Sequence, residues 1–179
     1  MSKANSSNGN TKTKEKAQET QRTDIGLSGE AVENVVSLLT QALSDIQVLY
    51  VKTLNVHWNI VDPSFYGIHI LLDDQYNALK QDGDKVAERI RGYGVPVIGS
   101  MGEFLENSRL KEKIGGQTVG IEALGELVAD HEAVIRQLRK DIDSCDEEYG
   151  DQGAADLLTA QMQKHQDMAW MLRSFLPKS

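Results

Sequence analysis

Residues Ile121–Tyr149, IEALGELVADHEAVIRQLRKDIDSCDEEY, decide the fold. Ile121, Leu124, Val128, His131, Ile135, Leu138, Ile142, Cys145 and Tyr149 recur in steps of three and four. That period lays one stripe along one side of an α-helix and leaves the charged residues on the other. The same rhythm appears on both sides of it. After a break at Gly150–Gly153 come Ala155, Leu158, Met162, His165, Ala169, Leu172 and Leu176. Near the start, Ser28 stands as an N-cap before Val32, Val35, Leu39, Ala42, Ile46, Leu49 and Val56. Asn59–Ser64, with Asp62 and Pro63, reads as a turn into a second helix striped by Phe65, Ile68, Leu72, Leu79, Val86 and Ile90. Gly92, Gly94, Pro96, Gly99 and Gly102 mark a long crossover to the third helix, with a short helix expected around Glu103–Arg109. Four amphipathic helices, two tight turns and one long crossover describe an all-α four-helix bundle over residues 27–176, followed by a short tail at 177–179.

The 179 residues fit one domain and carry a net charge of −8, unevenly distributed. Residues 1–24 hold five basic groups (Lys3, Lys12, Lys14, Lys16, Arg22) against three acids, while the other 155 residues carry 14 basic and 24 acidic groups. The first 26 residues, rich in Ser, Asn, Thr and Gln, are expected to form a disordered, lysine-bearing arm on an acidic body. No apolar run approaches the roughly 18 residues of a membrane span, and no secretory leader is recognisable. Cys145 is the only cysteine, which excludes an intrachain disulfide and a cysteine-based zinc site. A reducing, cytoplasmic setting is expected.

Chemistry concentrates between His57 and Glu88. His57 closes the first helix; His69, Asp73, Asp84 and Glu88 lie on the second, where His69/Asp73 and Asp84/Glu88 are i,i+4 pairs able to converge on an ion. At 100° per residue the four second-helix positions span about 100°, on a face roughly 130° from the apolar stripe. They cannot form one site within one chain, because fifteen residues of helix separate His69 from Asp84 by about 22 Å. A second copy running antiparallel across a two-fold axis would bring the His69/Asp73 end of one chain beside the Asp84/Glu88 end of the other, giving two sites per dimer. His57, entering through the turn, joins the His69 end. Mixed imidazole and carboxylate donors suit iron, zinc or manganese better than calcium or magnesium. The distance estimate requires the helix to continue through Gly83.

These segments resemble the ferroxidase signature of the Dps family, the DNA-binding proteins from starved cells or mini-ferritins. The resemblance rests on Asn55-Val56-His57-Trp58-Asn59, on Phe65-Tyr66-Gly67-Ile68-His69 with Asp73, and on Asp84-Lys85-Val86-Ala87-Glu88-Arg89-Ile90. Gly94-Val95-Pro96 and Asp156-Leu157-Leu158-Thr159, followed by Trp170, extend it over residues 27–176. It implies a ferritin-like bundle assembling as a hollow dodecamer, in which Fe(II) is oxidised with hydrogen peroxide and stored as ferric mineral, protecting DNA. By position it implies that His57, His69 and Asp73 of one subunit share a site with Asp84 and Glu88 of its mate, with zinc a surrogate or competitor for iron. The resemblance makes His57, Asp84 and Glu88 the expected direct ligands, with His69 and Asp73 binding a second, weaker iron, acting through water, or supporting the ligands from behind. Asp146, Asp151 and Asp156 loosely resemble acids of the family's three-fold pores. The larger ferritins hold iron inside the bundle on Glu-x-x-His motifs, which this chain lacks.

Other features have plainer readings. Lys80 and Arg89 could pair with the site's acids. His131 and His165 fall on helix seams, as expected of buried, hydrogen-bonded histidines. Trp58 and Trp170 suit core or interface anchors, although Trp58 adjoins a ligand position; Cys145 suits an apolar filler. A different function, nucleoid compaction through DNA contacts of the N-terminal arms, is opposed by the acidic body and helped only by avidity across many arms.

Overall fold

A computed structural model describes residues 24–115 and 119–177; the expected arm falls outside the described residues up to position 23, and so do the last two residues of the tail. Among the described residues there are four long helices and one short one: α1 (Gly29–Asn59), α2 (Phe65–Gly92), α3 (Met101–Asn107), α4 (Ile121–Asp143) and α5 (Gln152–Arg173). No strand occurs among the described residues. The third and fourth helices of the sequence pattern are thus α4 and α5, and α3 is the short helix expected in the crossover.

The helix ends follow local chemistry. Ser28 caps α1, its hydroxyl accepting from the Ala31 amide at 3.1 Å. Ser100 and Glu103 form a reciprocal capping box at α3. The α4 pattern was expected to run unbroken to Tyr149; instead a π-helical turn occupies Ser144–Glu148, with the Tyr149 amide reaching the Ser144 carbonyl at 3.1 Å. Gly150 then turns the chain at φ +68°, a conformation a side chain would oppose. Asp151 caps α5, accepting from the Ala154 amide at 2.9 Å.

Helix α1 packs on α2 and α4, and α5 packs on α4 and α2, so the four long helices enclose one core. The apolar stripes fill it: Leu39, Ile46 and Leu49 from α1, Ile68, Leu72, Leu79 and Ile90 from α2, Leu124 and Leu138 from α4, Leu158 and Leu172 from α5. Each such side chain contributes about 1.5–3 kcal/mol through burial. Phe65 departs from its expected place in the α2 stripe: it sits at the helix start, 46% exposed, outside the core.

Ion pairs tie helices at the margins of this core. Lys52 of α1 meets Asp130 of α4 at 2.5 Å, and Lys164 of α5 reaches buried Asp82 of α2. The crossover is stapled by Arg109, whose Nε donates to Asp45 of α1 and whose Nη1 donates to Asp141 of α4, both at 2.7 Å. Asp45 also accepts from the Ser108 hydroxyl and the Arg109 amide.

Helix α2 is continuous through Gly83, so the separation of about 22 Å between positions 69 and 84 stands. The glycine serves helix packing: a Cβ there would lie 2.8 Å from Gln47 Nε2 and 3.4 Å from Ile46 Cγ2 of α1. Its absence lets the two helices approach closely.

Candidate metal centre

The short α1–α2 turn folds His57 back onto His69. Their rings stack at 3.8 Å between centroids, inclined by 18°. His57 Nδ1 lies 3.1 Å from the His69 carbonyl oxygen, and His69 Nδ1 lies 3.1 Å from the His57 carbonyl oxygen. A carbonyl only accepts, so each Nδ1 carries a proton and donates it, which leaves Nε2 as the ring nitrogen able to offer a lone pair to a metal ion. This reciprocal arrangement fixes the tautomer of two imidazoles, as backbone carbonyls do for metal-ligating histidines elsewhere. His57 is buried and His69 half-buried; Phe65 stacks on the outer face of His69 at 4.9 Å.

One turn further along α2, half-buried Asp73 is already engaged. Tyr76 donates its hydroxyl to Asp73 Oδ1, and Asn77 Nδ2 donates to Oδ2 at 3.2 Å. That hydrogen bond pushes the Tyr76 phenol above its ordinary range. Tyr76 also stands edge-on to His57, with ring centroids 5.2 Å apart. Neither residue was singled out from the sequence, although positions three and four after Asp73 on one helix are where such partners fall.

Asp84 and Glu88 lie at the far end of α2 and are exposed; among the described residues neither has a hydrogen-bond or ion-pair partner. Asp84 lines an open groove with Leu43, Gln47, Gly83 and Phe104. Arg89 turns away from these acids: its Nη2 donates to Asp151 at 3.0 Å and its Nε to the Tyr93 hydroxyl at 2.9 Å. Among the described residues of one chain, no three His, Cys, Asp or Glu side chains converge on a point suited to a metal ion. The structure therefore stacks His57 on His69, holds Asp73 one turn further along α2 with Tyr76 bonded to its carboxylate and edge-on to His57, and leaves Asp84 and Glu88 at the far end of α2.

The remaining candidates sort differently. Asp146 and Asp156 are exposed, whereas Asp151, grouped with them as a pore-type acid, is buried and occupied by Arg89, Tyr93 and the α5 cap. Trp58 and Trp170 lie outside the core, 69% and 65% exposed. His131 and His165 are buried and face each other, Nδ1 to Nδ1, at 2.9 Å. Cys145 is buried, which pushes its thiol up to about 12 and leaves it protonated at neutral pH.

The fold defines a class, the ferritin-like bundles, and residues 36–178 match the ferritin-like domain family. A low temperature-induced protein of Nostoc is 43% identical over 155 residues, 87% of each chain. DNA protection during starvation protein 2 of Bacillus anthracis is 31% identical over 149 residues, covering 80% of this chain and 97% of that one. Among solved structures, a Mycobacterium smegmatis Dps superposes with a TM-score of 0.80 at 29% identity, covering 86% of this chain and 92% of its own. A Vibrio cholerae Dps, described as a member of a broad superfamily of ferritin-like diiron-carboxylate proteins, superposes at 0.79 with 26% identity, covering 87% and 97%. A Listeria innocua Dps soaked with zinc gives 0.75 at 27% identity, covering 81% and 97%. The chain belongs to the ferritin-like family and, within it, to the Dps proteins. Among the described residues no helix is long and apolar enough to cross a membrane.

Proposed function

We propose that this protein is a cytoplasmic iron-storage and detoxification protein that oxidises Fe(II) with hydrogen peroxide at sites shared between two copies of the chain. Storage of the ferric product in a dodecameric cage would protect DNA from oxidative damage. One observation carries the proposal: the His57–His69 stack, with both Nδ1 protons committed to carbonyls and Nε2 left as the metal-facing nitrogen of each ring, at one end of α2, whose Asp84 and Glu88, without partners among the described residues, lie far down its length. A two-fold mate supplies Asp84 and Glu88 to complete the donor set of His57, His69 and Asp73. Trp58, Val61, Phe65, Tyr66 and Ile70 leave an exposed apolar band around the histidines, the kind of surface a second copy covers.

Fe(II) is the substrate. Two ions held in one site each give an electron to peroxide, which takes up two protons and leaves as two waters, so no hydroxyl radical is released. The carboxylates favour the more highly charged ferric product over the ferrous ion. Imidazole and carboxylate donors also accept zinc, which is expected to compete.

Wild-type protein is expected to consume one peroxide per two Fe(II), and Asp84→Ala/Glu88→Ala to lose the fast phase of oxidation. Sharing is tested by refolding His57→Ala chains together with Glu88→Ala chains. A dimer of the two variants has one doubly damaged site and one intact site, so the mixture recovers activity that neither parent has. Unchanged kinetics in the double mutant, or a mixture no more active than its parents, rejects the proposal.

A second reading is favoured by the lysine-bearing arm: nucleoid compaction by direct DNA binding. Gel retardation at low salt by the full chain, absent in a chain starting at Asp24, supports it; no retardation by the full chain ends it.

A further inference from the structure

Asp73 and the pair Asp84/Glu88 are presented in opposite states. Among the described residues Asp84 and Glu88 have no side-chain partner, whereas both oxygens of Asp73 are taken, Oδ1 by the Tyr76 hydroxyl and Oδ2 by Asn77 Nδ2 at 3.2 Å. Asn77 Nδ2 also donates to the Asp73 carbonyl at 2.9 Å, which ties that amide to the helix. The phenol is held from both sides. Its ring stands edge-on to His57 at 5.2 Å and 74°, and edge-on to Tyr50 at 6.2 Å and 72°. These edge-to-face contacts hold the ring, and with it the phenolic oxygen, beside Asp73. A carboxylate oxygen that accepts such a charge-assisted hydrogen bond has less electron density to offer a cation.

We infer that Tyr76 is a positioning residue that withholds Asp73 from direct coordination, making the His69/Asp73 half of the site the weaker of two cation positions. The inference rests on the shared-site reading above and deepens it: Tyr76, assisted by Asn77, sets the order in which the two positions fill. Removing the phenolic oxygen should therefore tighten the second position. A residue acting only through packing would loosen it.

The test is titration of the metal-free, assembled protein with Co(II), followed by calorimetry and by the visible d–d bands of the bound ion. Wild type is expected to show one tight and one weak Co(II) per site. Tyr76→Phe keeps both edge contacts and frees Asp73 Oδ1, and should tighten the second Co(II) by about tenfold or more, the scale of one hydrogen bond to a charged group. Tyr76→Phe/Asp73→Asn should return it to the wild-type weakness. Asn77→Ala, which leaves the aromatic contacts untouched, should shift it in the same direction by less. Two equal Co(II) sites in wild type, or a second site unchanged or weakened in both Tyr76→Phe and Asn77→Ala, overturns the inference while leaving the shared site intact. Failure of wild type to bind Co(II), or tight binding indifferent to Asp84→Ala, overturns the shared site itself and this inference with it.

Discussion

Acid should weaken this bundle from inside, through His131 and His165. Both rings are buried between α4 and α5, with Nδ1 atoms 2.9 Å apart, a distance that fits one N–H donating to one bare nitrogen. His131 Nε2 is buried without a partner among the described residues. Burial, reinforced by the facing His165, pushes His131 well below the ordinary histidine value of 6.5. Burial also pushes His165 down to about 4, opposed by the Asp82 carboxylate of α2 and assisted by Lys164 of α5. The other nearby charged groups are themselves paired, Asp130 of α4 with Lys52 of α1 and Lys85 with Asp82. An unfolded chain takes up a proton at each histidine near pH 6.5, but the folded pair resists. Between pH 6.5 and 4 the unfolded state therefore binds more protons, so stability is fully present above 6.5 and falls as the pH drops through that window. For His165 alone the interval corresponds to about 3 kcal/mol, a large share of the roughly 5–15 kcal/mol typical of a folded domain. Urea unfolding followed by circular dichroism between pH 7.5 and 4 measures the slope. His131→Leu/His165→Leu should flatten it by between one and two protons, while contributions from His57, His69 and the carboxylates cancel in the comparison. An unaltered slope in the double variant would refute the buried-pair reasoning, whatever the variant's absolute stability.

Two further perturbations probe the frame. Arg109→Met leaves Asp45 and Asp141 buried without their counter-charge and should cost about 3–5 kcal/mol in denaturant unfolding; adding Asp45→Asn and Asp141→Asn should recover much of it, and equal loss in the triple variant would contradict the charge-based account. Gly83→Ala places its Cβ against the flexible end of Gln47, so stability should change by less than about 1 kcal/mol, helix propensity offsetting the contact. Gly83→Leu should lose about 1–3 kcal/mol by overpacking α1 against α2; thermal melts distinguish the two.

Much of this fold is legible along the chain because helix periodicity is local. Leu124, Val128, His131, Leu138 and Cys145 are buried as their spacing requires, and Ser28 caps where a hydroxyl before an apolar run should. Phe65 defeats the same reasoning: it has the right spacing, but at the first turn of α2 the neighbouring helices no longer cover it. Asp151 defeats composition, since an acid in an acidic, glycine-rich turn resembles a solvated group until Arg89, 62 residues away, is folded against it. The Arg109 staple has no signature at all, because Asp45 and Asp141 reach it from distant parts of the chain.

The sequence by itself determined four helices, the face each buries, and a helix rise that parts His69 from Asp84, because each depends only on residues a few positions apart. Only the tertiary structure decided how the site is presented. The α1–α2 turn sets two imidazoles ring on ring with each proton given to the other's carbonyl, and Tyr76, braced by Tyr50 and His57, claims Asp73 while Asp84 and Glu88 have no partner among the described residues. Spacing along α2 puts Tyr76 and Asn77 within reach of Asp73, but the stacking of His57 on His69 and the bracing of Tyr76 by Tyr50 and His57 depend on side-chain directions fixed by packing between helices, which no spacing along one helix encodes.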